Sequence, residues 1–183
     1  MDSNSTIKTY PMHQPGSLKS DYNLDAIILS DWFIATSSLL YRNYSNLIME
    51  SFVNFKSGDI ALITKLALKG KFKYFDDIMS VYRIHQNGIS FQLNSTDNKI
   101  NKLENFFYMY NEIKKNVLPG QTYVFNKKQS MILYWLFLDA IYIKNYSIIR
   151  TVFKRTIPFM NHYSFGQLIR LFGYYFTSYF RFQ

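Results

Sequence analysis

The pattern of apolar and polar positions predicts a helix over residues 57–70. Apolar side chains between Ile60 and Ala67 recur every three or four positions, as they do on the buried face of a helix. Ser57 precedes this run as an N-cap, whose side-chain oxygen can accept a backbone N–H of the first turn. Gly70 follows it as a left-handed stop. The sequence therefore predicts a helix with a defined start and end.

Strands are predicted on both sides of this helix. Residues 71–75 and 78–85 alternate between apolar and polar side chains, with a turn between the two segments. Upstream, residues 33–41 are predicted to form a buried strand. Arg83 and His85 are two positions apart on the segment that ends at residue 85, so their side chains leave the same face of that strand.

The rest of the chain is predicted to be mainly helical. Apolar positions indicate a short helix within residues 18–29, and a longer one that begins near Asp97 and continues to Ile113. Pro119 ends that pattern. Residues 131–143 are apolar on almost every side but are too few to span a bilayer. They are therefore predicted to form a helix buried between neighbouring elements.

The last predicted helix, over residues 165–182, is amphipathic and rich in aromatic side chains. Its polar positions form a narrow stripe, and nearly all the other positions are aromatic or aliphatic. The stripe consists of Gln167, Arg170, Thr177 and Arg181. An aromatic helix with cations at its polar edge is suited to lying in the interface of a membrane.

Charge is distributed unevenly along the chain. Residues 1–112 hold eleven Lys or Arg and eleven Asp or Glu, whereas residues 113–183 hold ten Lys or Arg and the single acid Asp139. The net charge of +9 is therefore carried by the C-terminal segment. This asymmetry predicts an anionic partner surface for that segment.

Composition narrows the class of protein. Hydrophobic residues make up 48% of the chain and aromatic residues 19%, which argues against disorder. The chain has no cysteine, so it is not a disulfide scaffold, and this mildly favours the cytosol. It carries no sequence signature of a nucleic-acid-binding module, and its basic residues are scattered among aromatic ones. No nucleic-acid partner is therefore expected.

A set of residues between positions 58 and 90 occurs in a characteristic order and spacing. It consists of Gly58, Asp59, Leu62, Leu66, Ala67, Gly70, Lys71, Tyr74, Tyr82, Arg83, His85, Gly88 and Ser90, with the segment Asp31–Asn43 upstream. This set resembles the acceptor-side half of family 2 glycosyltransferases of the GT-A fold. The resemblance covers residues 17–90, which is less than half of the chain.

The resemblance implies a fold and a division of the chain. It implies a partial GT-A domain, α/β in class (α+β when truncated), over residues 1–92, followed by a helical, basic and aromatic-rich region over residues 93–183. Family members usually begin with a nucleotide-binding unit that ends in an Asp-x-Asp metal motif, and no Asp-x-Asp occurs in this sequence. The donor-binding half is therefore expected to be missing from this chain. A truncated gene, a split gene whose partner chain supplies that half, and a non-catalytic relic would each give such a sequence, and activity of the chain on its own is not implied.

The resemblance assigns the main catalytic role to Asp59. This residue matches the family's general base, the carboxylate that takes the proton from an acceptor hydroxyl as its oxygen attacks the sugar. Gly58 beside it is implied to bind substrate. The alternative role for Asp59 is purely structural, because a carboxylate in the first turn of a helix is stabilised by the positive end of that helix.

The resemblance places three further residues near the donor. His85 is implied to lie beside the metal and diphosphate of the donor, where its imidazole could ligate the metal, and Arg83 on the same face could bind the diphosphate. Trp32 could stack on a sugar ring. Each has a structural alternative: a His at a strand end, an Arg paired with Asp59 or a neighbouring acid, and a Trp in the core.

The resemblance implies a sugar-transfer enzyme. The expected reaction is inverting transfer of a hexosyl-type sugar from a nucleotide sugar to a polysaccharide or lipid-linked acceptor, with Mg²⁺ or Mn²⁺ as the cofactor. The expected location is the cytoplasm, at the inner face of the cytoplasmic membrane, where the C-terminal helix could contact anionic lipid. The alternative is a non-catalytic peripheral membrane or scaffold protein, which the C-terminal composition indicates.

Overall fold

The computed structural model describes residues 19–30, 34–44, 54–75, 77 and 96–180. These residues form six α-helices, two short strands and three 3₁₀ turns. In chain order the helices and strands are β1 (Asp21–Tyr22), α1 (Leu24–Leu29), α2 (Gly58–Ala67), β2 (Phe72–Lys73), α3 (Thr96–Lys114), α4 (Thr122–Tyr142), α5 (Tyr146–Thr156) and α6 (Phe165–Phe180). The 3₁₀ turns lie at Thr36–Ser38, Pro119–Gln121 and Ile157–His162.

The expected α/β fold is wrong. Of the described residues, 73% are helical, and their strands form only one antiparallel pair, β1 with β2. Tyr22 pairs with Phe72 in this small sheet. The alternation over residues 71–75 therefore produces two residues of strand. The start of α1 at Leu24 limits the pairing beyond Phe72, and at the other end one further bond joins the Tyr74 N–H to the Ser20 carbonyl at 2.9 Å. The described residues therefore do not form a partial GT-A domain.

The buried strand expected over residues 33–41 is also wrong where the structure describes it. Residues 36–38 form a 3₁₀ turn, in which the Ser38 hydroxyl donates to the Ala35 carbonyl at 2.7 Å. Leu40 is 99% exposed. Serine hydroxyls that bond to nearby backbone carbonyls compete with strand pairing, and here the local bonds prevail.

The short helix expected within residues 18–29 is confirmed as α1, with a later start. The side chain of Asn23 caps it, accepting the Ala26 N–H at 2.9 Å, as N-cap asparagines do. Residues before this cap belong to β1. The helix expected over residues 57–70 is confirmed as α2, but it ends at Ala67 and Gly70 does not adopt the expected left-handed conformation. The helix that begins near Asp97 is confirmed as α3.

Helix α4 is the centre of the fold. It packs against α3, α5 and α1, and the expectation of a helix buried between neighbours is confirmed. The helix begins at Thr122, before the predicted start at residue 131. The prediction missed the first half because its polar side chains have partners in other parts of the fold. The Lys128 ammonium, for example, donates to the Ser30 carbonyl at 3.1 Å. The fully buried apolar side chains of α4 are Phe125, Leu133, Leu136, Phe137 and Ala140.

Helix α5 is joined to α4 by a tight turn and to α3 by an ion pair. Lys144 adopts a left-handed conformation with φ 56°, and the Asn145 side chain then caps α5 by accepting the Ile148 N–H at 3.1 Å. On the other side, Arg155 donates to both carboxylate oxygens of Glu104 at 2.6 and 2.8 Å. Bidentate pairs of this kind fix orientation as well as contact.

Helix α6 is confirmed over most of its expected range and packs against α5. Among the described helices, none is both long enough and apolar enough to cross a membrane. The expected strand over residues 78–85 and the expected boundary between residues 92 and 93 lie outside the described residues, so both stay predictions.

Candidate functional site

Asp59 lies in the first turn of α2, as the sequence predicts. Its side chain is half-buried, and one carboxylate oxygen accepts the backbone N–H of Ile60 at 2.8 Å. The first N–H groups of a helix have no partner within the helix, so this contact satisfies one of them. The Asp59 carboxylate is thus held at the positive end of α2.

Ser57 does not cap α2 through its side chain, although the sequence predicts such a cap. Ser57 occupies the N-cap position with no side-chain hydrogen bond to the first turn. The carboxylate of Asp59 makes a local contact there instead. The prediction failed because two residues near the start of a helix can accept the same class of N–H group, and sequence does not decide between them.

Gly58 is exposed, and apart from its two chain neighbours and the backbone of its own helix, no atom of the described residues lies within 4 Å of a Cβ built on it. The described residues therefore leave the start of α2 uncovered at Gly58, and the Asp59 side chain next to it is partly exposed. The proposed role of Gly58 in substrate binding stays a prediction.

The other predicted site residues lie outside the part of the chain that the structure describes. These are Trp32, Arg83 and His85. The structure therefore places Asp59 and Gly58 together and neither joins nor separates the rest. Within residues 19–30, 34–44, 54–75, 77 and 96–180, no cluster of three or more His, Cys, Asp or Glu could hold a metal ion. The metal-proximal role of His85 stays a prediction.

A second candidate surface lies on α6. This helix buries only a narrow seam, in which Leu171 and Ser178 are fully buried. On one side of the seam the exposed side chains are almost all aromatic, and we call this surface the aromatic flank. It consists of Phe165, Ile169, Phe172, Phe176, Tyr179 and Phe180, each of them at least 42% exposed.

The exposed surface of α6 next to the aromatic flank has mainly small and polar residues, and Ile169 lies where the two surfaces meet. This surface forms an open groove, and the Arg170 guanidinium at its edge donates to the Tyr134 hydroxyl at 3.3 Å. The residues that line the groove are Gly166, Ile169, Arg170, Gly173, Tyr174 and Thr177. The predicted polar stripe thus divides: Arg170 and Thr177 lie on this exposed side, whereas Gln167 is half-buried. Arg181, the fourth residue of the stripe, lies outside the described residues.

Gln167 has a capping role that sequence reasoning missed. Its side-chain oxygen accepts the Ser164 N–H at 2.8 Å, and the Ser164 hydroxyl accepts the Gln167 N–H at 3.4 Å. This reciprocal arrangement is a capping box, whose sequence signature is Ser followed three residues later by Gln. The signature was therefore available, and it fixes the start of α6.

Helix α5 places aromatic and cationic groups beside the aromatic flank. Phe153 stacks on Tyr175 with ring centroids 3.9 Å apart and meets Phe172 edge-on at 5.2 Å. The Arg150 guanidinium lies over the Tyr179 ring, 5.1 Å from its centroid. A cation over an aromatic face is an attractive contact. These contacts hold the base of the aromatic flank against α5.

A polar cluster between α3 and α4 was not predicted from the sequence. The Lys114 ammonium donates to Asn126 Oδ1 at 3.1 Å and to Gln129 Oε1 at 2.6 Å, while Gln129 is fully buried. Burial lowers the pKa of Lys114. Because the ammonium satisfies a buried amide oxygen, the cluster acts as a link between the two helices.

Comparison with protein-family models, with curated proteins and with solved structures found no match for this chain. The resemblance to family 2 glycosyltransferases therefore depends on residues 17–90 of the sequence alone. Two candidate sites are present among the described residues: Asp59 at the start of α2, and the exposed surface of α6.

Proposed function

We propose that this chain takes part in the transfer of a sugar from a nucleotide sugar to a polysaccharide or lipid-linked acceptor. The observation that carries the proposal is the position of Asp59, a half-buried carboxylate in the first turn of α2 next to Gly58, which the described residues leave exposed. A catalytic carboxylate must be both held in place and reachable by the acceptor. Asp59 combines these two properties, and the motif residues around it supply the reaction type.

In the proposed reaction, an acceptor hydroxyl binds at the start of α2 within hydrogen-bond reach of Asp59. The hydroxyl oxygen attacks the anomeric carbon of the sugar from the face opposite the nucleoside diphosphate. A new C–O bond forms as the bond to the diphosphate breaks, and the hydroxyl proton passes to the Asp59 carboxylate. The sugar is transferred with inversion, and the nucleoside diphosphate leaves with the electron pair.

The donor is proposed to meet the other motif residues. Arg83 and His85 would bind the diphosphate, and Trp32 would stack on a sugar ring. Mg²⁺ or Mn²⁺ bound with the donor would neutralise the charge of the leaving group. The rest of the donor site is proposed to come from a partner chain, and the reaction to take place in the cytoplasm at the inner face of the membrane.

Titration calorimetry with uridine or guanosine diphosphate in the presence of Mn²⁺ tests whether this chain contacts the donor. We expect binding to the unaltered chain and at least about tenfold weaker binding to an Arg83→Gln/His85→Ala variant, because charge-assisted contacts to the diphosphate are lost. The matched control is Arg170→Gln/His162→Ala, which removes the same side chains elsewhere. Equal affinity of both variants, or no binding by the unaltered chain, would contradict the proposal.

A further inference from the structure

We propose that the aromatic flank of α6, with the cations of α5 beside it, binds the interface of an anionic lipid bilayer. The helix would lie in the plane of the membrane, with its aromatic flank among the upper acyl chains. This inference does not depend on the chemistry proposed for Asp59.

The aromatic flank is an apolar surface that the described fold leaves exposed. Phe165 is 79% exposed, Phe176 56% and Phe180 81%. Side chains of this size contribute most of the binding free energy when they leave water for an apolar phase. Because these three residues span α6 from its first turn to its last, the apolar surface runs along the whole helix.

The packing of α6 explains why the aromatic flank is not part of the core. Leu171 and Ser178, two turns apart, are its fully buried residues. Tyr175 next to this seam stacks on Phe153 of α5. At 3.6 residues per turn, the positions of the aromatic flank then project sideways, away from the seam. The side chains of the aromatic flank therefore lie beside α5 and are not covered by it.

Cationic side chains border this apolar surface. Arg150 lies over the Tyr179 ring, and Lys154, one helical turn further on, is exposed. Arg170 lies on the other exposed side of α6. Asp139 is the single acid in residues 113–183. An interfacial helix gains binding energy both from its apolar face and from cations near anionic headgroups.

This charge pattern distinguishes lipid from a second copy of the chain as the occupant. Two copies that met through the aromatic flank would offer Arg150 and Lys154 no acid from residues 113–183 other than Asp139. Like charges in an interface oppose association. An anionic bilayer supplies both an apolar phase and the opposite charge, so it fits the whole surface.

The length of α6 agrees with an orientation parallel to the membrane. Its 16 residues extend about 24 Å at 1.5 Å per residue, which is short of the roughly 30 Å hydrocarbon core. Gly173, Thr177 and Arg170 on its other side are polar or small. A helix with one apolar and one polar side lies at the interface and does not enter the bilayer end-on.

Vesicle flotation with the full chain tests the apolar part of this proposal. The vesicles consist of equal parts phosphatidylcholine and phosphatidylglycerol, or of phosphatidylcholine alone. We expect binding to the anionic vesicles, and about tenfold weaker partitioning for Phe176→Ser. Tyr174→Ser is the matched control, because Tyr174 is a similarly exposed aromatic residue on the groove side of the same helix. It is expected to bind as the unaltered chain does.

A second pair of variants tests the charged part. Arg150→Gln/Lys154→Gln is expected to bind anionic vesicles roughly tenfold more weakly, whereas Lys69→Gln/Lys71→Gln, which removes two exposed cations near the end of α2, is expected to bind normally. Circular dichroism checks that each variant is folded. Asp59→Asn is expected to bind vesicles with the same affinity as the unaltered chain, even if it transfers no sugar. Equal loss in Phe176→Ser and Tyr174→Ser, equal binding to both vesicle types, or a dimer that ignores vesicles would overturn the proposal.

Discussion

Replacing Phe137 with alanine will lower the free energy of unfolding by about 3–5 kcal/mol. The Phe137 side chain is fully buried on α4, the helix that packs against α3, α5 and α1. Its removal takes apolar surface out of the core and leaves a cavity that the neighbouring helices fill only in part. Urea denaturation followed by far-UV circular dichroism measures the change.

Trp135→Ala is the matched control for this substitution. Trp135 lies two residues earlier on the same helix but is 57% exposed. Its replacement by alanine removes a larger side chain, yet we expect a change within about 1 kcal/mol, because surface substitutions away from packed contacts have small effects. If the two variants lost the same stability, α4 would not be the central helix of the core.

Asp59→Asn will reduce the rate of sugar transfer by about 10²–10⁴-fold. The amide has almost the shape of the carboxylate but does not accept the acceptor's proton. The fold should be little affected, at a cost of at most about 1 kcal/mol, because the lost interactions are a local contact to the Ile60 N–H and attraction to the positive end of α2. Initial rates with a labelled nucleotide sugar, its acceptor and any partner chain present together measure the effect.

The control for Asp59 is Asp25→Asn. Asp25 also lies in the first turn of a helix, α1, and its side chain is exposed. The two substitutions remove the same charge from the same kind of helix position, so any general effect of helix ends cancels between them. A transfer rate that fell equally in both variants, or in neither, would show that Asp59 has no special part in the reaction.

The helices were predictable because their signals are local. The apolar spacing of α2 and α3 and the all-round apolar character of residues 131–143 follow from the geometry of a single helix. The first half of α4 was missed because a buried polar residue such as Gln129 breaks the apolar pattern. Its partner, Lys114, lies on another helix, so the contact that makes its burial favourable is not a local signal.

The fold class was not predictable in the same way. A strand needs a partner, and a pattern such as that of residues 71–75 does not reveal how long the partner is. Here β1 ends after Tyr22, so the pairing begins at Phe72, and only one backbone bond, from Tyr74 to Ser20, continues it at the other end. Residues 36–38 have a strand-like neighbourhood, but their hydroxyl groups favour local bonds. The family resemblance added strands that the described residues do not form.

The candidate site was predictable only in part. The motif and the helix pattern place Asp59 at the start of α2, and the structure has it there. Sequence alone did not show that the Ser57 side chain makes no hydrogen bond to the first turn, where the Asp59 carboxylate accepts the Ile60 N–H instead. For α6, the pattern indicated an amphipathic helix. It did not show that only Leu171 and Ser178 of this helix are fully buried. That narrow seam is what exposes the aromatic flank.

The most direct test of the proposed sugar-transfer site is an NMR measurement of where the donor diphosphate binds. The chain has three histidines, His13, His85 and His162, so their ring signals can be followed separately. Uridine diphosphate is added with Mn²⁺, which broadens nearby signals, or with Mg²⁺ as a reference that does not. We predict broadening of the His85 ring and the Ile60 backbone N–H, while the His162 ring stays sharp. A sharp His85 signal, or equal broadening of all three rings, would contradict a sugar-transfer site at Asp59.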